Sequence, residues 1–167
     1  MNEQNVPQIL LIFSKYFWAV AILFSCINAI VIGRGIKNIE IKERTQITIA
    51  AAFWLSVPWI VMGIGATIGG VPSFWHFLKP RDGNPFVIAW WAAVAAVYLI
   101  GAYWIYIGNG AAKLARYEIL ILRILGKRTA IKSEAGVKVI FLLMLILGIA
   151  IGAIIWFVNP PLPGFIK

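Results

Sequence analysis

Few side chains in this sequence could carry chemistry, and most of those that could fall in one stretch. Ser73, His76, Lys79, Arg81 and Asp82 lie within VPSFWHFLKPRDGNPF, which holds the single histidine of the chain. An imidazole with a hydroxyl and a carboxylate is the material of an acyl-transfer triad, but near neighbours in sequence seldom reach triad geometry. An imidazole beside a guanidinium and a carboxylate is better suited to holding a polar ligand or partner, so His76, Arg81 and Asp82 form the first candidate site. The competing reading is structural: an aromatic half-turn at a membrane surface (Phe74, Trp75, Phe77), followed by tight turns between Pro80 and Pro85 in which Arg81 and Asp82 are paired or solvated.

The second candidate is Asn28, a polar residue deep inside the first apolar stretch. Its amide calls for a hydrogen-bond partner, either across a helix interface as glue or along a path that it helps to line for an ion or ligand. Beyond these, absences dominate. No Asp, Glu, His or Arg falls at the centre of an apolar stretch, whereas proton pumps, ion-coupled transporters and voltage sensors place ionisable groups there. One histidine and one cysteine, Cys26, supply neither a haem-ligand set, a metal-ligand cluster nor an internal disulfide. No metal site and no catalytic residue are assigned. No cofactor is called for either, although bound lipid, quinone or pigment would be compatible with the many aromatic residues.

These residues must be positioned by helices in a membrane. Of 167 residues, 62% are hydrophobic and 13% charged, about half the charged fraction a soluble domain uses to solvate its surface. Four stretches, about 9–32, 47–71, 86–108 and 139–158, are each near the roughly 20 apolar residues needed to cross a bilayer core. Inside lipid their backbone must pair with itself, which predicts helices, and the run VIFLLMLILGIAIGAII has none of the alternation of a β-barrel strand. The sequence thus predicts a single all-α domain over 1–167, an integral membrane protein of four transmembrane helices. The segment 110–136 is expected to be an amphipathic connector, as an extension of the third span or a helix in the interface. Pro58 is expected to kink the second span near Trp54, with a neighbouring helix taking up the freed carbonyl.

Net charge is +9, but the basic residues lie between the spans, which argues for orientation rather than nucleic-acid binding. Eleven of the fifteen fall in the first and third connectors, from Arg34 to Arg44 and from Lys113 to Lys138. Positive connectors stay cytoplasmic, so both termini and the His76 segment are expected outside, in the cell (inner) membrane. The basic connectors are also expected to meet anionic headgroups. Tyr16, Trp18, Trp90, Trp91 and Trp156 would anchor one interface, and Tyr103, Trp104 and Tyr106 the other.

What remains is packing chemistry. Small residues recur at four-residue spacing on every span: Ser25, Ala29 and Gly33; Gly65 and Gly69; Ala92 and Ala96, with Ala89 and Ala93 alongside; Gly148 and Gly152. Such stripes let helix backbones approach closely where lipid removes any hydrophobic drive to associate. Together these features favour a non-catalytic membrane protein that self-assembles or serves as a subunit of a larger membrane complex. An oligomeric channel or passive transporter is the alternative, and a lipid- or quinone-directed enzyme at the outer surface the weaker one.

Overall fold

A computed structural model describes residues 8–36, 39–118, 121–124 and 127–164, with the backbone path alone for 121–124 and 127–129. Glu3, Lys37 and Lys167, which entered the charge count, lie outside the described residues, as do the side chains of Arg123, Lys127 and Arg128. Four long helices carry the four apolar stretches: α1 (Gln8–Gly35), α2 (Ile41–Thr67), α4 (Pro85–Tyr106) and α6 (Glu134–Val158). Each is long and apolar enough to cross a membrane, and the chain is an all-α, multi-pass membrane protein. Between α2 and α4 lie the short helix α3 (Phe74–Phe77) and a 3-10 turn (Pro80–Asp82), and between α4 and α6 the short helix α5 (Gly110–Arg116).

Helix ends follow local chemistry. The Asn84 carboxamide oxygen accepts from Phe86 N at 2.9 Å and Val87 N at 3.4 Å, and Pro85 opens α4 where a missing N–H costs nothing. The Ser133 hydroxyl accepts from Gly136 N at 3.1 Å at the start of α6. Asn159 ends that helix in the left-handed region (φ 44°), immediately before Pro160 and Pro161. Asn109 (φ 59°) makes the corner between α4 and α5, a conformation that asparagine tolerates better than most residues.

Packing follows chain order. The main contacts between spans are α1 with α2, α2 with α4, and α4 with α6, so the helices form an open row rather than a closed ring. Three of the four small-residue stripes are filled from within the chain. Ser25, Ala29 and Gly33 are buried against α2, where a side chain added at Gly33 would run into Thr48. Gly65 and Gly69 admit the rings of Phe77 and Phe86; a Cβ at Gly65 would lie 2.9 Å from Phe77 Cζ. Gly148 and Gly152 face Tyr98 and Trp91 of α4, with added Cβ atoms 3.2 and 3.4 Å from those side chains.

The connector departs from expectation. Instead of continuing as an amphipathic helix, α5 stops at Arg116, Glu118 turns the chain at φ 50°, and β1 (Ile121–Ile124) pairs antiparallel with β2 (Lys127–Ala130), Ile121 opposite Ala130. Ile121, Ile124 and Thr129 are β-branched, and a pleated pair suits them better than a helix. Pro58, where a kink is expected, lies inside α2. In α1, Tyr16 leaves helical dihedrals (φ −104°, ψ 17°). Just before it, the Ser14 hydroxyl donates to Leu11 O at 2.9 Å, a back-bond that competes with the helical ladder and bends helices.

Candidate functional site

The His76 segment folds back over one end of the row and becomes part of its core. Val71, Phe77, Val87, Trp90 and Met62 form a buried cluster, with Phe17, Trp18, Trp59, Phe74, Phe86 and Trp91 packed around it. Phe17 sits 4.4 Å from Phe74 between ring centroids, and Trp90 meets Trp91 edge-on at 5.2 Å. One polar contact pins the segment: Trp91 Nε1 donates to Phe77 O at 2.9 Å. Trp90, expected as an interfacial anchor, is 7% exposed and belongs to this core. It is buried because α3 covers the first turns of α4, a fold-back that composition does not announce.

Of the three residues first singled out here, each is engaged differently. His76 is half-buried, and its Nδ1 lies 2.9 Å from the Ser73 hydroxyl, a local pairing three residues apart. Its pKa is lowered, first by burial and then by the nearby Lys79 ammonium, against the opposing pull of the Ser73 contact and the Asp82 carboxylate. The ring is therefore held toward its neutral form. Asp82 pairs instead with Lys79 at 3.8 Å, with its side chain 53% exposed, a geometry worth little. Arg81 is exposed and makes no ion pair among the described residues. His76 sits in α3, and Arg81 and Asp82 in the 3-10 turn that follows it. A groove beside α3, about 320 Å³ and almost wholly apolar, is lined by Leu10, Phe13, Ser14, Phe17, Phe74 and Trp75.

Asn28 lies on the exposed flank of α1, and its amide makes no hydrogen bond to any other described residue. Its neighbour on the inner face, Ser25, does: the Ser25 hydroxyl donates to Leu55 O at 3.1 Å, three residues before Pro58. Proline removes the ladder bond to Trp54 O and crowds that turn; the Ser25 hydroxyl reaches the next carbonyl along, Leu55 O, and not the freed Trp54 O that a neighbouring helix is expected to take up. The Thr67 hydroxyl donates to its own helix at Gly63 O, 2.7 Å, as expected of a threonine in lipid, whereas the Ser56 hydroxyl is buried without a partner among the described residues.

Ala92 and Ala96 are exposed, in contrast to the other stripes, and with Ala89 they give α4 an open face of small side chains. At the opposite end of the row the connectors are tied together. Tyr117 Oη donates to the Glu43 carboxylate at 2.8 Å, and Tyr106 Oη to Lys138 O at 2.8 Å. The Tyr117 pKa is raised, chiefly because its proton is held by that carboxylate. Glu118 pairs with Lys132 at 3.0 Å, and Glu134 with Lys138 at 2.7 Å. Among the described residues no three His, Cys, Asp or Glu side chains come together as a metal site would require.

Comparison of the chain with protein-family models, with curated proteins and with solved structures gives no match.

Proposed function

We propose that this protein is a non-catalytic multi-pass membrane component that assembles through the open flanks of its helix row, with copies of itself or as one subunit of a larger membrane complex. The observation that carries this reading is Asn28. Six residues separate it from Arg34, about 9 Å along the helix axis at 1.5 Å per residue, so its amide lies within the hydrocarbon. A carboxamide facing lipid without a partner costs several kcal/mol in the limiting case, and a second helix supplying a donor or acceptor removes that cost. The open alanine face of α4 offers a second flank on which a helix backbone could approach closely.

In this reading the basic connectors face the cytoplasm, the His76 segment faces outward, and the protein resides in the cell (inner) membrane. Assembly is tested by the dependence of single-molecule photobleaching steps on protein density in bilayers. Asn28→Val is expected to weaken association by about threefold to thirtyfold, the equivalent of one interhelical polar contact. Ala92→Leu with Ala96→Leu is expected to reduce it further without loss of insertion. A wild-type chain that stays monomeric at every density, extracted without companions from its own membrane, ends the proposal. A channel is the second reading, favoured by the same exposed amide: copies arranged around α1 would turn the Asn28 side chains toward a shared path. Solute flux in liposomes that is abolished by Asn28→Leu supports it, and impermeable liposomes holding assembled protein dismiss it.

A further inference from the structure

The seam between α1 and α2 opens, at its basic end, into a cleft of about 330 Å³. Two arginines line it, Arg34 in the last turn of α1 and Arg44 in the first turns of α2. Below them, toward the middle of the spans, the walls are the aliphatic side chains of Ile30 and Ile49, which are 46% and 64% exposed. Gly33 forms the floor, where any side chain would strike Thr48. We propose that this cleft binds the phosphate headgroup of an anionic phospholipid, with an acyl chain laid along Ile30 and Ile49.

Three features select that ligand. Neither arginine forms an ion pair with a carboxylate among the described residues; Glu40, one turn before Arg44, pairs with neither, and Glu43 accepts from Tyr117. Two like charges lining one cleft repel each other, and an anion between them relieves the repulsion while engaging the planar forks that suit phosphate oxygens. Thr45 and Thr48 also line the cleft, but their hydroxyl protons are spent on Ile41 O at 2.8 Å and Arg44 O at 2.9 Å. The donors left for a ligand are therefore the cationic ones, which favours a charged headgroup over a neutral sugar or amide. Finally, polarity is graded along the seam, charged at the helix ends and aliphatic one turn deeper, as in a phospholipid lying parallel to the helices.

The test uses the full chain in nanodiscs of phosphatidylcholine with a minor fraction of phosphatidylglycerol, and compares association of spin-labelled phosphatidylglycerol with spin-labelled phosphatidylcholine. Wild type is expected to prefer the anionic lipid, with roughly fivefold of that preference lost for each arginine replaced. Arg34→Gln with Arg44→Gln is expected to remove it, while Lys113→Gln with Arg116→Gln, which neutralises the same number of charges at the same end of the row, leaves it in place. The single variants carry the same test if the double variant does not insert. Equal losses from the two double variants would mean diffuse attraction and overturn the proposal. So would displacement of the labelled lipid by millimolar inorganic phosphate at constant ionic strength, which would assign the cleft to a free anion instead.

Discussion

Helix α6 and the trio α1, α2 and α4 would be ranked the wrong way round by hydropathy. Helix α6 is the most apolar of the four, yet none of the residues in its apolar window is buried, whereas each of the other three spans buries part of its own. The trio is held by side chains that enter backbone gaps, Phe77 and Phe86 at Gly65 and Gly69 and the Trp18 ring at Gly63, and by a hydroxyl reaching a neighbour's carbonyl. The most complete burial along α6 comes at its basic end, where Val137 packs with Ile105, Ala111 and Ala115. Hydropathy thus measures how well a helix dissolves in lipid. Adhesion between helices depends on how closely two backbones can approach and on which polar groups they exchange.

The largest effect that would sharpen this contrast is expected from Phe77→Ala, which empties the fully buried centre of the aromatic end. It should cost about 3 kcal/mol in denaturing-detergent titrations. Leu145→Ala on α6, half-buried, should cost less than about 1 kcal/mol, since most of the contacts it loses can be made by lipid. Equal costs would break the comparison. Next comes overpacking. Gly65→Val meets Phe77 and Phe86 and should destabilise by about 1–3 kcal/mol, whereas Gly152→Val, with its nearest neighbour at 3.4 Å, should stay within about 0.5 kcal/mol by the same assay.

Ser25→Ala should cost about 0.6–1.7 kcal/mol, the range of a single interhelical hydrogen bond. Pro58→Ala returns a ladder donor to Trp54 O and leaves Leu55 O as it is, so the effects of the two substitutions should add in the double variant. A coupling well outside about 0.5 kcal/mol would mean that the serine serves the proline turn. The smallest effect is a pH dependence. The His76 pKa is lowered in the folded chain, so between that value and its ordinary one near 6.5 the unfolded chain binds more protons, and stability rises with pH. Stability should fall slightly on acidification through that window, with the loss complete below the folded value. His76→Asn should flatten the dependence, and an unchanged slope in that variant would assign it to another group.

The spans were legible because apolar length is written directly in the sequence. The stripes on α1, α2 and α6 were legible too, since Ser25, Ala29 and Gly33, or Gly148 and Gly152, interrupt runs of large residues and mark one face. On α4 the spacing did not say where a neighbour would come from. Ala89, Ala92, Ala93, Ala95 and Ala96 are small in more than one register, so spacing could not tell that Ala92 and Ala96 are the ones left open. The connector misled for a related reason. ILILRIL reads as apolar in any period, and the decisive cues were its β-branched residues and Gly126 just ahead of KRTA. The polar sites divide in the same way. His76, Arg81 and Asp82 were visible as residue types, but their separate partners depend on a fold-back that no spacing encodes. The Arg34 and Arg44 pair was counted among orienting charges, because its cleft exists only once α1 and α2 are docked.

The chain-order arrangement of the spans has a consequence for biosynthesis. Each span after the first finds its main span-to-span contact in the one just before it, so no span emerging from a ribosome needs to wait for a distant one. Helices α1 and α2 can close on Gly33 while α4 is still being translated, and the His76 segment can lay Phe74 on Phe17 and Phe77 on Gly65 before the first turns of α4 arrive to complete the cluster. Helix α6 comes last and has the least to contribute. A transcript cut short near residue 130 is expected to leave a three-span protein whose aromatic cluster around Met62, Phe77 and Trp90 is complete, and whose basic-end cluster lacks Val137.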